Sequence, residues 1–239
     1  MSKDRVVRLG VIIVTALLGI YLSSLADNPR EITTGNASHR EQATSEPEVD
    51  YSHTRPIFWS KLYPNGGETL YCGRKFGANR GRSINIEHIF PMSWAMNKFN
   101  CRDRNHCRDN SREFNRIEAD MHNLYPSRQD INSARSSHAF GMIKGEKRYF
   151  GKCDFEVNKY KRRAEPRPEV RGNIARAMFY MQQKYGLTIF KKQGELLKQW
   201  HRQDPPDAEE RRRNDIIEKI QGNRNRFIDQ PGLAYKIQF

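Results

Sequence analysis

The sequence predicts an α+β fold, a single helix-rich domain, and three observations carry that expectation. Apolar residues recur at helical spacing through the last third of the chain, the mark of amphipathic helices. Strand-like runs elsewhere are short and scattered. The 239 residues suffice for one well-buried domain with appendages.

The elements follow in chain order. Lys3, Arg5 and Arg8 precede an almost wholly apolar run over 9–22, and Ser24, Leu25 and Ala26 supply small residues at cleavage-type positions. This is the layout of a secretory signal over 1–26. The run is short for a membrane span, which needs about 20 residues; an uncleaved anchor, extended through Ser23 to Ala26, is the alternative. Either way a periplasmic or secreted protein is expected, tethered to the membrane and facing outward if the segment stays. Residues 27–50 are rich in Ser, Thr, Glu and Pro and nearly free of large apolar groups, so they predict a flexible linker.

The domain is expected over 51–239. It opens where "PIFWSKLY" sets Ile57, Phe58 and Trp59 on a helical stripe. Strands are expected over 68–72, 84–90 and 148–157. In "PEVRGNIARAMFYMQQKYG", Val170, Ile174, Ala177, Met178 and Met181 recur at helical spacing, with Pro168 opening and Gly186 closing the run. Leu196, Leu197 and Trp200 mark the next helix. In the last, Asp204 is the expected cap and Pro205 the first turn, with Ile216, Ile217 and Ile220 forming the buried face.

Lys and Arg number 42 against 28 Asp and Glu, a formal net charge of +14. Such an excess attracts polyanions, chiefly nucleic acid, anionic lipid or acidic polysaccharide. Lys161, Arg162, Arg163, Arg167, Arg171, Arg176 and Arg211 to Arg213 are candidates for a nucleic-acid groove, about half of them solvated helix faces instead. Four cysteines in an exported chain read as two disulfides; a zinc site is the rival, though no C-x-x-C pair is present. Cys101 and Cys107 are close enough to clip a loop, which would leave Cys72 to pair with Cys153.

Chemistry gathers in the middle third. "INIEHIFP" places Glu87 and His88 side by side where a strand ends, and neighbours on a strand point to opposite faces. Downstream, Glu118, Asp120 and His122 alternate at the end of a helical run, and Asn132 lies in the next helical stretch. Carboxylate and amide oxygens suit a hard cation such as Mg²⁺, with Mn²⁺ or Ca²⁺ as substitutes, which keeps waters and borrows phosphate oxygens. Phosphodiester hydrolysis needs a base for water, positive charge for the transition state and help for the departing oxygen. A metal, a histidine and an arginine cover all three. A zinc protease fits poorly, because Met92 stands where H-E-x-x-H spacing from His88 would need a second histidine.

In order, "IEHIFP", "CRDRNHC", "EADMHNLYPS" and "INSARS", then "AEPRPEVRGNIARAMFYM" and "KIQGNRNRFID", resemble the bacterial endonuclease I family of periplasmic and secreted deoxyribonucleases. The likeness runs from about Tyr71 to Asp229. The family belongs to the ββα-metal nucleases, in which a strand pair and a helix hold one divalent ion against the scissile phosphate. The resemblance implies a ββα-metal core, with Glu87 as metal ligand and His88 as general base. It implies that Arg104 steadies the phosphate, Glu118 orients the His88 ring by hydrogen bond, and Asn132 is the second metal ligand. Ser133 follows Asn132 where relatives usually carry Gly. The implied partner is DNA, with RNA also chemically open, cut to leave 5′-phosphates by a monomer. The alternative class is a non-catalytic basic envelope protein that binds nucleic acid or an anionic surface.

Overall fold

The computed structural model describes residues 49–145 and 147–239. The expected signal or anchor over 1–26 lies outside the described residues, as does the linker over 27–50 except its last two positions. One of those, Asp50, caps α1 (Tyr51–Ile57): its carboxylate accepts from the His53 amide at 2.8 Å, satisfying a free donor of the first turn. The helix continues through a wider π-helical turn at Phe58–Leu62, so the expected stripe of Ile57, Phe58 and Trp59 is helical.

Strands β1 (Gly66–Glu68) and β2 (Lys75–Gly77) form a small antiparallel pair. The strand expected over 68–72 is therefore displaced, sharing only Glu68. Beyond it the chain turns, with the Gly73 amide on the Thr69 carbonyl at 2.9 Å and Gly73 at φ 62°, which suits a residue without Cβ.

Strand β3 (Ile84–His88) stops two residues before the expected end. There Asn123 replaces the ladder: its side chain accepts from the Phe90 amide at 2.6 Å and donates to the Phe90 carbonyl at 3.1 Å. Helices α2 (Met92–Ala95), α3 (Arg104–Asn110) and α4 (Arg112–Ala119) follow. Asp103 caps α3, and Ser111 both ends α3 and caps α4. Strand β4 (Leu124–Arg128) returns antiparallel to β3, with Glu87 opposite Tyr125 and His88 opposite Leu124. Arg128 is at once the end of β4 and the N-cap of α5 (Gln129–Arg135), so no loop intervenes and α5 is held beside the strand pair.

Strands β5 (Ala139–Phe140), β6 (Phe155–Asn158) and β7 (Arg163–Pro166) make a second sheet in the order β5-β7-β6. Of the strand expected over 148–157 only its last three residues are extended in β6, because the chain turns before Cys153 to meet Cys72. The two disulfides join Cys72 to Cys153 and Cys101 to Cys107, as the spacing suggested.

The core centres on α6 (Arg171–Tyr185), buried continuously from Gly172 to Met181. Pro168 opens it through a 3₁₀ turn and Gly186 closes it at φ 64°, both as expected. Helices α7 (Lys191–Gln203), α8 (Ala208–Gln221) and α9 (Arg226–Asp229) complete the chain. The expected cap, Asp204, is not the cap of α8. It ends α7, and its carboxylate accepts from the Gly172 amide at 2.7 Å. Asp207 caps α8 instead, in a reciprocal box with Glu210. A second apolar cluster packs Phe58, Leu62, Ile86, Met121, Leu124 and Ile217 under the β3–β4 pair, with Ile216 and Ile220 half-buried at its edge.

Between these clusters lies a buried polar network. Tyr180 and Tyr185 hydroxyls donate to Asp120 at 2.6 Å each, and the His122 ring packs 4.5 Å from that of Tyr180 with Nε2 3.1 Å from the Asn223 carbonyl. Burial drives the His122 pKa down to about 4, against the opposing pull of Asp120 and the Asn223 carbonyl. An unfolded histidine titrates near 6.5, so between those values the unfolded chain binds the extra proton. His122 therefore leaves stability whole above about pH 6.5 and removes on the order of 2 kcal/mol by pH 4.5. Urea denaturation at pH 7.5 and 4.5 should show a smaller loss in His122→Gln than in the parent; equal losses would refute the assignment.

Candidate active site

The end of β3 is covered on both faces. That explains how adjacent ionisable residues can both be buried, Glu87 at 3% and His88 at 8% exposure. On the α5 side, Glu87 Oε1 accepts from the Tyr71 hydroxyl at 2.7 Å and from Arg135 Nη1 at 3.0 Å. Burial outweighs both contacts and holds the Glu87 pKa above the usual carboxylate range. Arg135 also donates to the main-chain carbonyls of His88 at 2.8 Å and Ile89 at 2.5 Å, and its guanidinium lies 4.6 Å from the centre of the Phe140 ring.

On the opposite side, the His88 ring tilts against Tyr51 at 4.9 Å, and its Nε2 is 2.9 Å from the Glu118 main-chain carbonyl. A carbonyl can only accept, so Nε2 carries the proton and Nδ1 keeps a lone pair. Burial, reinforced by nearby Arg104, lowers the His88 pKa to about 4, so the ring is a neutral base at physiological pH.

Glu118 differs from expectation in one respect. Its main chain, not its carboxylate, meets the imidazole. The carboxylate is bound from two sides by guanidinium groups: Arg108 at 2.7 Å to each oxygen, and Arg104 Nε. The Arg108 fork is bidentate, the strongest geometry for such a pair. Two cations on one anion leave a positive excess at the mouth of the site. Arg104 opens α3 inside the Cys101–Cys107 loop, which the disulfide fixes beside α4.

Asn132 stands on α5 with Nδ2 donating to Asn85 Oδ1 at 3.0 Å and to the Ile86 carbonyl at 3.1 Å. Both donors are thereby spent on β3, and Oδ1 is left for another partner. Ser133, next to Asn132, fits within α5, its hydroxyl bonded back to the Gln129 carbonyl at 2.8 Å.

One cleft of about 360 Å³ gathers Glu87, His88, Arg104, Arg108, Asn132 and Arg135 among its lining residues. Of the expected site residues, only Glu118 does not line it; it lies behind, its carboxylate on the two arginines and its main-chain carbonyl on the His88 ring. Sequence reasoning passed over Arg135 and Tyr71 as site residues, and preferred Arg104 to its neighbours Arg102 and Arg108 by family position alone. Arg135 had a usable signal, since it falls three residues after Asn132 and so shares its helix face. His122 and Asn123 are buried structural partners here.

Among the described residues no group of three or more His, Cys, Asp or Glu side chains could cage an ion. The donor set at the cleft is a carboxylate and an amide oxygen. Such a pair fits a hard divalent cation that keeps most of its coordination for water and phosphate.

Residues 23–232 match the family described as Endonuclease I. The chain is 36% identical over 194 residues to a periplasmic deoxyribonuclease of Aeromonas hydrophila, covering 71% of this chain and 81% of that protein. It is 36% identical over 195 residues to an extracellular deoxyribonuclease of the same organism, covering 72% and 84%. To Endonuclease-1 of Buchnera aphidicola subsp. Acyrthosiphon pisum (strain APS) it is 30% identical over 178 residues, covering 72% and 70%. With its motifs in order and a match across most of its length, this chain belongs to the endonuclease I family.

Proposed function

We propose that this protein is an exported, divalent-metal-dependent endonuclease that hydrolyses DNA with little sequence preference and leaves 5′-phosphate ends. The observation that carries the reading is a tautomer-fixed His88, kept neutral by burial, sharing one cleft with two oxygen donors and three arginines. In this reading β3, β4 and α5 are the ββα-metal core, and Glu87 and Asn132 are the residues that would hold the ion. Glu87 has Oε2 to offer, since Tyr71 and Arg135 both use Oε1. The ion of choice is Mg²⁺. When bound, it supplies Lewis-acid charge to the phosphate and the departing oxygen.

His88 Nδ1 removes a proton from the attacking water while Nε2–H stays on the Glu118 carbonyl, so the ring keeps its angle as it becomes cationic. Arg104 and Arg108 offer charge to the non-bridging oxygens as negative charge builds. The water oxygen bonds to phosphorus, the P–O3′ bond breaks, and the phosphate stays on the 5′ side. The departing O3′ takes a proton from solvent to become the 3′-hydroxyl, and His88 afterwards returns its proton to solvent. No 2′-hydroxyl takes part, so RNA is chemically open to the same route. Phosphate contacts would dominate binding and carry no sequence information.

Export is supported by the basic and apolar N-terminal segment and by relatives named periplasmic and extracellular. Among the described residues no helix is long and apolar enough to cross a membrane; a tether would rest on residues 1–26. We assign 51–239 as the nuclease domain and a monomer as its working form.

A supercoiled plasmid incubated with the protein and Mg²⁺ should be nicked and then linearised, and EDTA should stop this, with activity returning on excess Mg²⁺. A mobility shift without nicking under both conditions would favour the non-catalytic binder.

A further inference from the structure

Internal pairing separates the basic residues into two groups. Arg167, Arg171 and Arg176, expected as groove candidates, are tied to Glu68, Glu165 and Glu210. Arg212 is paired with Glu209, and Arg213 is buried on the carbonyls of Met121 and Leu124. These are structural cations. The turn between β6 and β7 is different. Lys159, Tyr160, Lys161 and Arg162 are all exposed, and among the described residues none of the three cations is paired with an acid. Tyr160 is 95% exposed.

This turn adjoins the catalytic cleft. Ser136 and Ser137 line that cleft, and two residues further on the Ala139 amide bonds to the Arg162 carbonyl at 3.2 Å. From Ser136 to Ala139 an extended chain spans at most about 11 Å, a reach of a few nucleotides. Ser136 also lines a groove of about 1010 Å³ that includes His138, Lys144, Lys147, Tyr149 and Lys159. Its described lining has three lysines and one acid, the buried Glu156. Tyr149 on this wall is 70% exposed.

We propose that the Lys159–Arg162 turn and this groove form a binding tract for single-stranded DNA, leading a strand to or from the scissile phosphate. Lys159, Lys161 and Arg162 take phosphates, and Tyr160 offers its ring face to a base. An isolated exposed tyrosine is ordinary; two beside unpaired cations on a strip continuous with the cleft are the composition of a single-strand platform. Bases in a duplex are already stacked and gain nothing from a flat exposed ring. The tract thus acts on unpaired strands, whereas Arg104 and Arg108 serve either form. The proposal rests on the nuclease reading and adds a substrate form to it.

The test measures binding of single-stranded and duplex oligonucleotides by fluorescence anisotropy over a salt series, in a His88→Ala background that preserves the DNA. Tyr160→Ala should weaken single-strand binding about tenfold and duplex binding much less. Lys159→Ala, Lys161→Ala and Arg162→Asn combined should flatten the single-strand salt dependence by about 2 in log–log slope, at ~0.7 per lost phosphate contact. Asparagine is chosen because Arg162 sits at φ 50°, where it is better tolerated than alanine. Lys191, Lys192 and Arg202, equally exposed on α7, replaced together by alanine form the charge-matched control and should change the slope less.

Three results would overturn the tract: unchanged single-strand affinity in Tyr160→Ala, a turn variant indistinguishable from the control, or a Tyr160→Ala loss confined to duplex. Plasmid nicking by the parent, run alongside, keeps the two readings separate. Nicking with an indifferent turn removes the tract alone, whereas absent nicking removes the nuclease reading beneath it.

Discussion

His88→Ala should lower DNA cleavage by about 10²–10⁴-fold, the usual contribution of a positioned general base, and leave salt-dependent DNA binding nearly intact. The basis is the division of labour on the ring. Nε2 is committed to the Glu118 carbonyl at 2.9 Å, and burial beside Arg104 keeps the imidazole neutral, so Nδ1 is the free acceptor. Binding has other sources, since Arg104, Arg108 and the exposed cations remain. His88→Gln sharpens the test: an amide can still donate to the carbonyl but cannot take up a proton at neutral pH, so it should be about as inactive as alanine. Single-turnover nicking of a plasmid reads the chemistry, and anisotropy on a short duplex reads binding. Nicking by either variant near the parent rate would remove His88 from the base role.

The helices were legible because their signal is local: Val170, Ile174, Ala177, Met178 and Met181 repeat at helical spacing, and Gly186 ends the run in the one conformation that favours glycine. The strand bearing Glu87 and His88 was legible for the same reason, as were the disulfides from spacing and compartment. What escaped depends on contacts between distant segments. Tyr71 and Arg135 meet Glu87 from 16 residues before it and 48 after it, and nothing local separates a buried arginine from a surface one. Arg176 and Arg213, read as groove candidates, are buried for this reason. Asp204 and Asp207 are equally good caps by residue type; packing against Gly172 decides between them. The motif order located Glu118 at the site but could not say which of its groups faces the ring, because a main-chain carbonyl leaves no mark on residue identity.

Arg135→Met should destabilise the fold by about 3–5 kcal/mol, the range for removing one member of a buried pair, and should abolish nuclease activity even where the protein is folded. Arg135 is 1% exposed and Glu87 3%, so without the guanidinium a carboxylate stays in a poor dielectric with only the Tyr71 hydroxyl. Its pKa, already raised by burial, should rise further, weakening the proposed cation ligand. Arg135 also bonds the carbonyls of His88 and Ile89, so its loss frees the strand end that carries the base. Lysine cannot replace it, because one ammonium does not reproduce the planar fork that reaches Glu87 and both carbonyls together. Charge and packing separate in a double variant. Arg135→Met with Glu87→Gln removes the stranded carboxylate, so it should recover part of the lost stability in urea melts while remaining inactive for want of the ligand. Melts showing the double variant no more stable than Arg135→Met would mean that Arg135 acts through packing and its carbonyl bonds alone. A folded, fully active Arg135→Met would show that Glu87 needs no neutralising partner, and that the cleft is held together by other contacts.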